Sequence, residues 1–154
     1  MEFTHMNIDT AHLRQYVIEP TLQYLNMHSL AAIHVLEGVA SYESQCNPFS
    51  SSGEGLGMYQ ISSVQHRSVW DTYLTFNPEL ASLVRGLASQ RQFLTDPDSE
   101  LITNLRYSTA IAWMLFLQSE ASGKTPESKL LNPYWYKLYV DELEHQPPPL
   151  AQAV

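Results

Sequence analysis

Apolar residues recur at helical spacing along most of this chain. After Asp9 the run Leu13, Tyr16, Val17, Leu22, Leu25 describes one side of a helix. Pro20 falls inside that run, and a proline there removes a backbone donor, so the helix should kink or divide. Ser29 is a suitable N-cap for a second helix. Its Ile33, Leu36, Val39 and Ala40 form a core-facing stripe that should end near Gln45, ahead of Asn47-Pro48. Residues 47–57 are a Ser/Gly loop, and the MYQIS segment at 58–62 reads as a short strand. Helical patterns resume over about 63–75, 78–94, 98–119 and 126–144. Pro78, Pro97 and Pro126 sit where a first turn accepts proline, with Asn77, Asp96 and Thr125 as caps.

The fold class expected is therefore mainly α with a minimal β element. Residues 1–145 read as one domain, and the Pro-rich segment 146–154 as a disordered tail. With 154 residues and 44% apolar composition, the chain has enough material for one core. Its 16 acidic against 8 basic residues give a net charge of -8, which repels phosphate backbones and argues against nucleic acid as a partner. Any anionic polymer must be held by local contacts. Cys46 is the single cysteine, so no intrachain disulfide and no Cys-based metal cluster is expected. The first twenty residues lack the basic start and apolar run of a secretory signal, and no segment reaches the length of a membrane span.

Glu43 continues the stripe of Ile33, Leu36 and Ala40 by one further step of three, so it projects from the last turn of an apolar face. A carboxyl held against core side chains is desolvated, which favours its protonated form and suits proton donation. The bland alternative is a solvated helix-end carboxylate. Just beyond, Gly53, Gly55 and Gly57 alternate with Glu54 and Leu56, so backbone can approach a bulky ligand without Cβ obstruction.

Together these parts resemble a known family. Glu43-Ser44 at a helix end, then Gly53-Glu54-Gly55-Leu56-Gly57-Met58-Tyr59-Gln60-Ile61, then His66, are similar to the goose-type lysozymes and the related soluble lytic transglycosylases. Asn47-Pro48 stands where the transglycosylases have Asn-Pro, and Asn104-Leu105 resembles an Asn-Ile pair opening a later helix, with Ser108 in place of a Gly. The matched core covers about residues 36–66. The resemblance implies a lysozyme-like fold, Glu43 as catalytic acid, and Ser44, Gly57, Met58, Tyr59, Gln60, Ser62 and His66 shaping a substrate cleft.

The sequence also departs from that pattern. Met58-Tyr59 replaces Leu-Met, the loop after Glu43 is shorter, and Ser51 or Ser52 and Ser62 stand where goose-type proteins carry aspartates. No Tyr-Asn-Ala-Gly motif occurs; the nearest aromatic cluster is Asn132-Pro133-Tyr134-Trp135-Tyr136, from which Tyr136 is a candidate cleft residue. Inverting hydrolysis needs a second carboxylate roughly 6.5–9.5 Å from the acid. Glu54 is the candidate in the loop. A lytic transglycosylase avoids that requirement, because the C6 hydroxyl of the substrate's own N-acetylmuramic acid attacks and one Glu acts first as acid and then as base.

The expected function is cleavage of peptidoglycan glycan strands, as a lytic transglycosylase or muramidase without cofactor. No histidine spacing fits a metal. Action on the cell wall, in the periplasm or outside the cell, with delivery by a phage particle or secretion apparatus that would also be a partner, is what the resemblance and the start of the chain imply. The alternatives are a catalytically inactive glycan-binding module and a secretion or phage assembly protein.

Overall fold

A computed structural model describes residues 7–121. The sequence expectations for the helix at 126–144, its Thr125 cap, Tyr136 and the tail at 146–154 lie outside those residues.

The described chain is a single mainly helical domain. Helix α1 (Thr10–Leu13) starts where the Asp9 carboxylate accepts the Ala11 N–H at 2.8 Å. A π-helical turn over Arg14–Ile18 joins it to α2 (Glu19–Tyr24). The helix is thus divided, as expected, by a π-helical turn just ahead of Pro20, and helical backbone continues through the proline. Pro20 has no N–H for the carbonyl of Tyr16, so the turn widens, the Glu19 N–H reaches back to Arg14, and Arg106 donates its Nη2–H to the Tyr16 oxygen at 3.1 Å.

Helix α3 (Leu30–Ser44) is capped by Ser29, whose hydroxyl accepts the Ala32 N–H at 3.0 Å, and it buries Ile33, Leu36, Val39 and Ala40 as their spacing predicts. Gln45, with φ 55°, takes the left-handed conformation that ends it. A small antiparallel hairpin follows: β1 (Ser51–Ser52) pairs with β2 (Gly55–Leu56) around the turn Gly53-Glu54. The strand expected at 58–62 is reduced to one bridge between Leu56 and Ile61. Residues 57–60 turn instead, because Gly57 (φ 76°) and Gln60 (φ 53°) both bend the backbone out of the extended region.

Helix α4 (Ser63–Thr72) is followed by a 3-10 turn at Leu74–Phe76 and by α5 (Pro78–Leu87), α6 (Gln90–Thr95), a 3-10 turn at Pro97–Ser99, α7 (Glu100–Thr103) and α8 (Leu105–Ala121). Neither Asn77 nor Asp96 caps through its side chain; Asn77 donates its Nδ2–H back to the Tyr73 carbonyl.

Two helices expected to be continuous are each broken, and the buried carboxylate of Glu100 is hydrogen-bonded to a residue at each break. Glu100, 1% exposed, accepts hydrogen bonds from the N–H and hydroxyl of Ser89, which holds Ala88 and Ser89 extended between α5 and α6. It also accepts Asn104 Nδ2–H at 2.8 Å. Asn104 donates to the Leu87 carbonyl at 2.8 Å and accepts the Tyr107 N–H at 3.0 Å, so it ends α7, caps α8 and ties both to the end of α5.

Helix α8 is the centre of the domain. It packs against the Arg14–Ile18 turn, α2, α3, α4, α5 and α7, and every residue from Tyr107 to Phe116 is buried. A helix apolar on all sides is stable only when surrounded. The loop beyond Glu43 is tied to α8 where the Tyr59 hydroxyl meets Thr109.

Candidate functional site

Glu43 lies on the last turn of α3, half-buried. It lines an open depression of about 340 Å³ with Asn7, Tyr42, Ser44, Gln45, Asn47 and Ser50. The chain reaches this arrangement through a reversal at two successive left-handed residues, Gln45 (φ 55°) and Cys46 (φ 61°). Their N–H groups bond to the carbonyls of Ser41 and Ala40, which closes the helix. The Cys46 carbonyl accepts the Ile8 N–H at 2.8 Å, and that strap brings Asn7 to the depression. Cys46 itself is buried, which pushes its thiol up from the ordinary range.

Ser44 fixes the helix end to the loop beneath. Its hydroxyl donates to the Met58 carbonyl at 2.7 Å and accepts the Asn47 N–H at 3.1 Å. Glu43 is thereby held by its neighbour in sequence, and the Glu-Ser pair has a geometric meaning. Gln60 holds the hairpin in the same way, donating Nε2–H to the carbonyls of Gly57 (2.7 Å) and Ser50 (3.0 Å). Gly57 is needed for close approach: a Cβ there would stand 2.1 Å from the Leu101 carbonyl oxygen.

Several residues expected on a cleft floor lie elsewhere. Met58 and Tyr59 have no exposed surface, since both point into the core. The Tyr59 hydroxyl meets Thr109 Oγ1 at 2.9 Å in α8, and burial drives its phenol far above the ordinary range. These two residues support the loop and offer nothing for a ligand to touch. Ser62 is the N-cap of α4 in a capping box with Gln65. Glu54 is exposed at the hairpin turn and does not line the Glu43 depression.

His66 belongs to a second cluster. It is buried on α4 and lines a smaller depression of about 180 Å³ with Ser63, Arg67, Trp70, Phe93, Pro97 and Asp98. Its Nδ1 meets Asp98 at 2.9 Å and its Nε2 meets the Tyr107 hydroxyl at 2.7 Å; that hydroxyl also accepts Trp70 Nε1–H at 2.9 Å. One assignment satisfies every group: Nδ1–H donates to Asp98, and Tyr107 donates to Nε2 while accepting from Trp70. Burial opposes ionisation of Asp98, yet hydrogen bonds from His66 and Ser63 and the charge of Arg67 outweigh it and hold the carboxyl below its ordinary range. Burial raises the Tyr107 phenol far above its own.

Sequence reasoning missed Asn7, Tyr42, Gln45 and Ser50 as neighbours of Glu43. Tyr42 and Gln45 were accessible from helix geometry, whereas Asn7 depends on the long-range Ile8–Cys46 bond. It also missed Asp98, the partner of His66 from 32 residues away. Among the described residues no group of three or more His, Cys, Asp or Glu side chains is placed to hold a metal ion, and no helix is long and apolar enough to cross a membrane. No protein-family model, curated protein or solved structure matches the chain.

Proposed function

We propose that this chain is a lysozyme-like domain that cleaves peptidoglycan glycan strands at the β-1,4 bond between N-acetylmuramic acid and N-acetylglucosamine, with Glu43 as catalytic acid. One observation carries the reading. Glu43 is half-buried at a helix end that Ser44 fixes to the loop, and among the described residues that line the open depression there it is the one carboxylate.

That single carboxylate supports the lytic reaction over hydrolysis. The protonated carboxyl of Glu43 gives its proton to the glycosidic oxygen as the bond to C1 of the N-acetylmuramic acid breaks. The resulting carboxylate then takes the proton of the C6 hydroxyl of the same sugar as that oxygen bonds to C1, leaving a 1,6-anhydro end. Hydrolysis as a muramidase would need Glu54, which stands on the exposed turn, to approach the sugar. No cofactor enters either route.

The openness of the depression favours one second reading, a module that grips glycan without turnover. An assembly role in a secretion system or phage particle would use the same domain as a scaffold. Delivery by such an apparatus is part of the proposal, since the site acts on the cell wall.

Digestion of purified sacculi by the wild-type protein and by Glu43→Gln, with mass spectrometry of the released fragments, tests the reading. The lytic reaction predicts 1,6-anhydro muropeptides from the wild type and none from the variant. Reducing-end products would indicate hydrolysis, and binding without release would leave the glycan-binding module.

A further inference from the structure

Tyr42 precedes Glu43 on the last turn of α3 and lines the same depression, yet 58% of it is exposed. A large ring more than half exposed beside a half-buried carboxyl presents apolar surface next to the group that would do the chemistry. The rest of the lining is amide and hydroxyl: Asn7, Gln45, Asn47, Ser44 and Ser50. No Lys, Arg or His is among the described lining residues, and the chain carries a net charge of -8, so the depression suits an uncharged polar ligand. A second exposed ring, Phe49 at 59%, is carried between the lining residues Asn47 and Ser50, and Asn47 Oδ1 fixes its backbone by accepting the Phe49 N–H at 3.0 Å.

A pyranose ring has this same split character, with an apolar face of axial C–H bonds and a rim of hydroxyl and acetamido groups. Flat aromatic rings match the face, and carboxamides match the rim. Resting on the glycan-cleavage reading above, we infer that Tyr42 is a substrate-binding residue whose ring stacks on an uncharged N-acetylhexosamine unit and sets the affinity of the site beside Glu43. Tyr42 acts through its face and not its hydroxyl.

The test compares Tyr42→Ala and Tyr42→Phe with the wild type. Titration calorimetry with an uncharged β-1,4 tetramer of N-acetylglucosamine measures binding, and release from sacculi measures KM and kcat. The unfolding midpoint of each variant is measured alongside, and binding and release are compared below it. Tyr42→Ala is expected to weaken tetramer binding and raise KM about three- to tenfold with kcat little changed, as loss of one stacking contact implies. Tyr42→Phe should behave as the wild type. Equal loss in both variants would overturn stacking in favour of a hydroxyl contact. Unchanged binding and KM in Tyr42→Ala, with normal release by the wild type, would overturn the inference alone. A wild type that neither binds the tetramer nor releases fragments would overturn the inference together with the reading beneath it.

Discussion

The depression around Glu43 and the cluster around His66 each hold a carboxylate, a tyrosine and a serine, and use them differently. Around His66, both ring nitrogens, the Tyr107 phenol and the Trp70 indole N–H are engaged with one another or with Asp98, 32 residues from the histidine. Around Glu43 the lining is made of exposed and half-exposed amides and hydroxyls on one helix end, one loop and the N-terminal strap. A buried polar network whose members satisfy each other rigidifies a fold. On the proposed reading, the half-buried carboxyl of Glu43, over an open depression, is the one that meets substrate.

The largest effect should come from the loop that backs Glu43. Gly57→Ala would drive a Cβ against the Leu101 carbonyl oxygen and force an alanine to φ 76°. A loss of about 3 kcal/mol or more in urea unfolding is expected, with glycan release lost as a consequence. A stable, fully active variant would show that the loop does not bear on the site.

Next comes the tie at the far end of α8. Asn104→Ala removes a helix cap, a bond to the Leu87 carbonyl and one donor to the buried Glu100 carboxylate. About 2–4 kcal/mol of stability should be lost, read from the same unfolding curves.

These two positions also show what the chain disclosed in advance. The helix over 30–44, its Ser29 cap and the buried stripe leading to Glu43 were legible, because capping and periodicity act between near neighbours. The break at Ser89 was not: Ser89 is bonded to Glu100, and nothing in a local pattern says that a glutamate will be buried there. The helix opening at Asn104-Leu105 was given by the family resemblance and not by periodicity, which ran one helix over 98–119. The place of Glu43 on the last turn of α3 followed from the stripe, whereas Tyr59 was read as a cleft residue and proved to be core. Side-chain direction in a tight turn is set by left-handed residues such as Gln60, which a motif does not reveal.

A smaller effect sharpens the His66 side of the comparison. The folded Asp98 carboxyl is held below its ordinary value, so its contribution to stability is present above that value and is lost as pH falls through the lower, folded one. The urea midpoint of the wild type should therefore decline below about pH 4, and Asp98→Asn should flatten part of that decline. Because Asp98 is partly exposed, solvent screening keeps the difference modest. An identical decline in both proteins would mean that the His66–Asp98 contact carries no ionic stabilisation.

The contrast itself is tested most directly by measuring unfolding midpoint and muropeptide release together for Glu43→Gln and His66→Phe. The account predicts that Glu43→Gln keeps the wild-type midpoint and releases nothing. It predicts that His66→Phe loses about 1–3 kcal/mol, since Tyr107 and Asp98 lose their shared partner, yet still cleaves glycan below its own unfolding midpoint. Full release by Glu43→Gln, or loss of release in a folded His66→Phe with Glu43 intact, would contradict it.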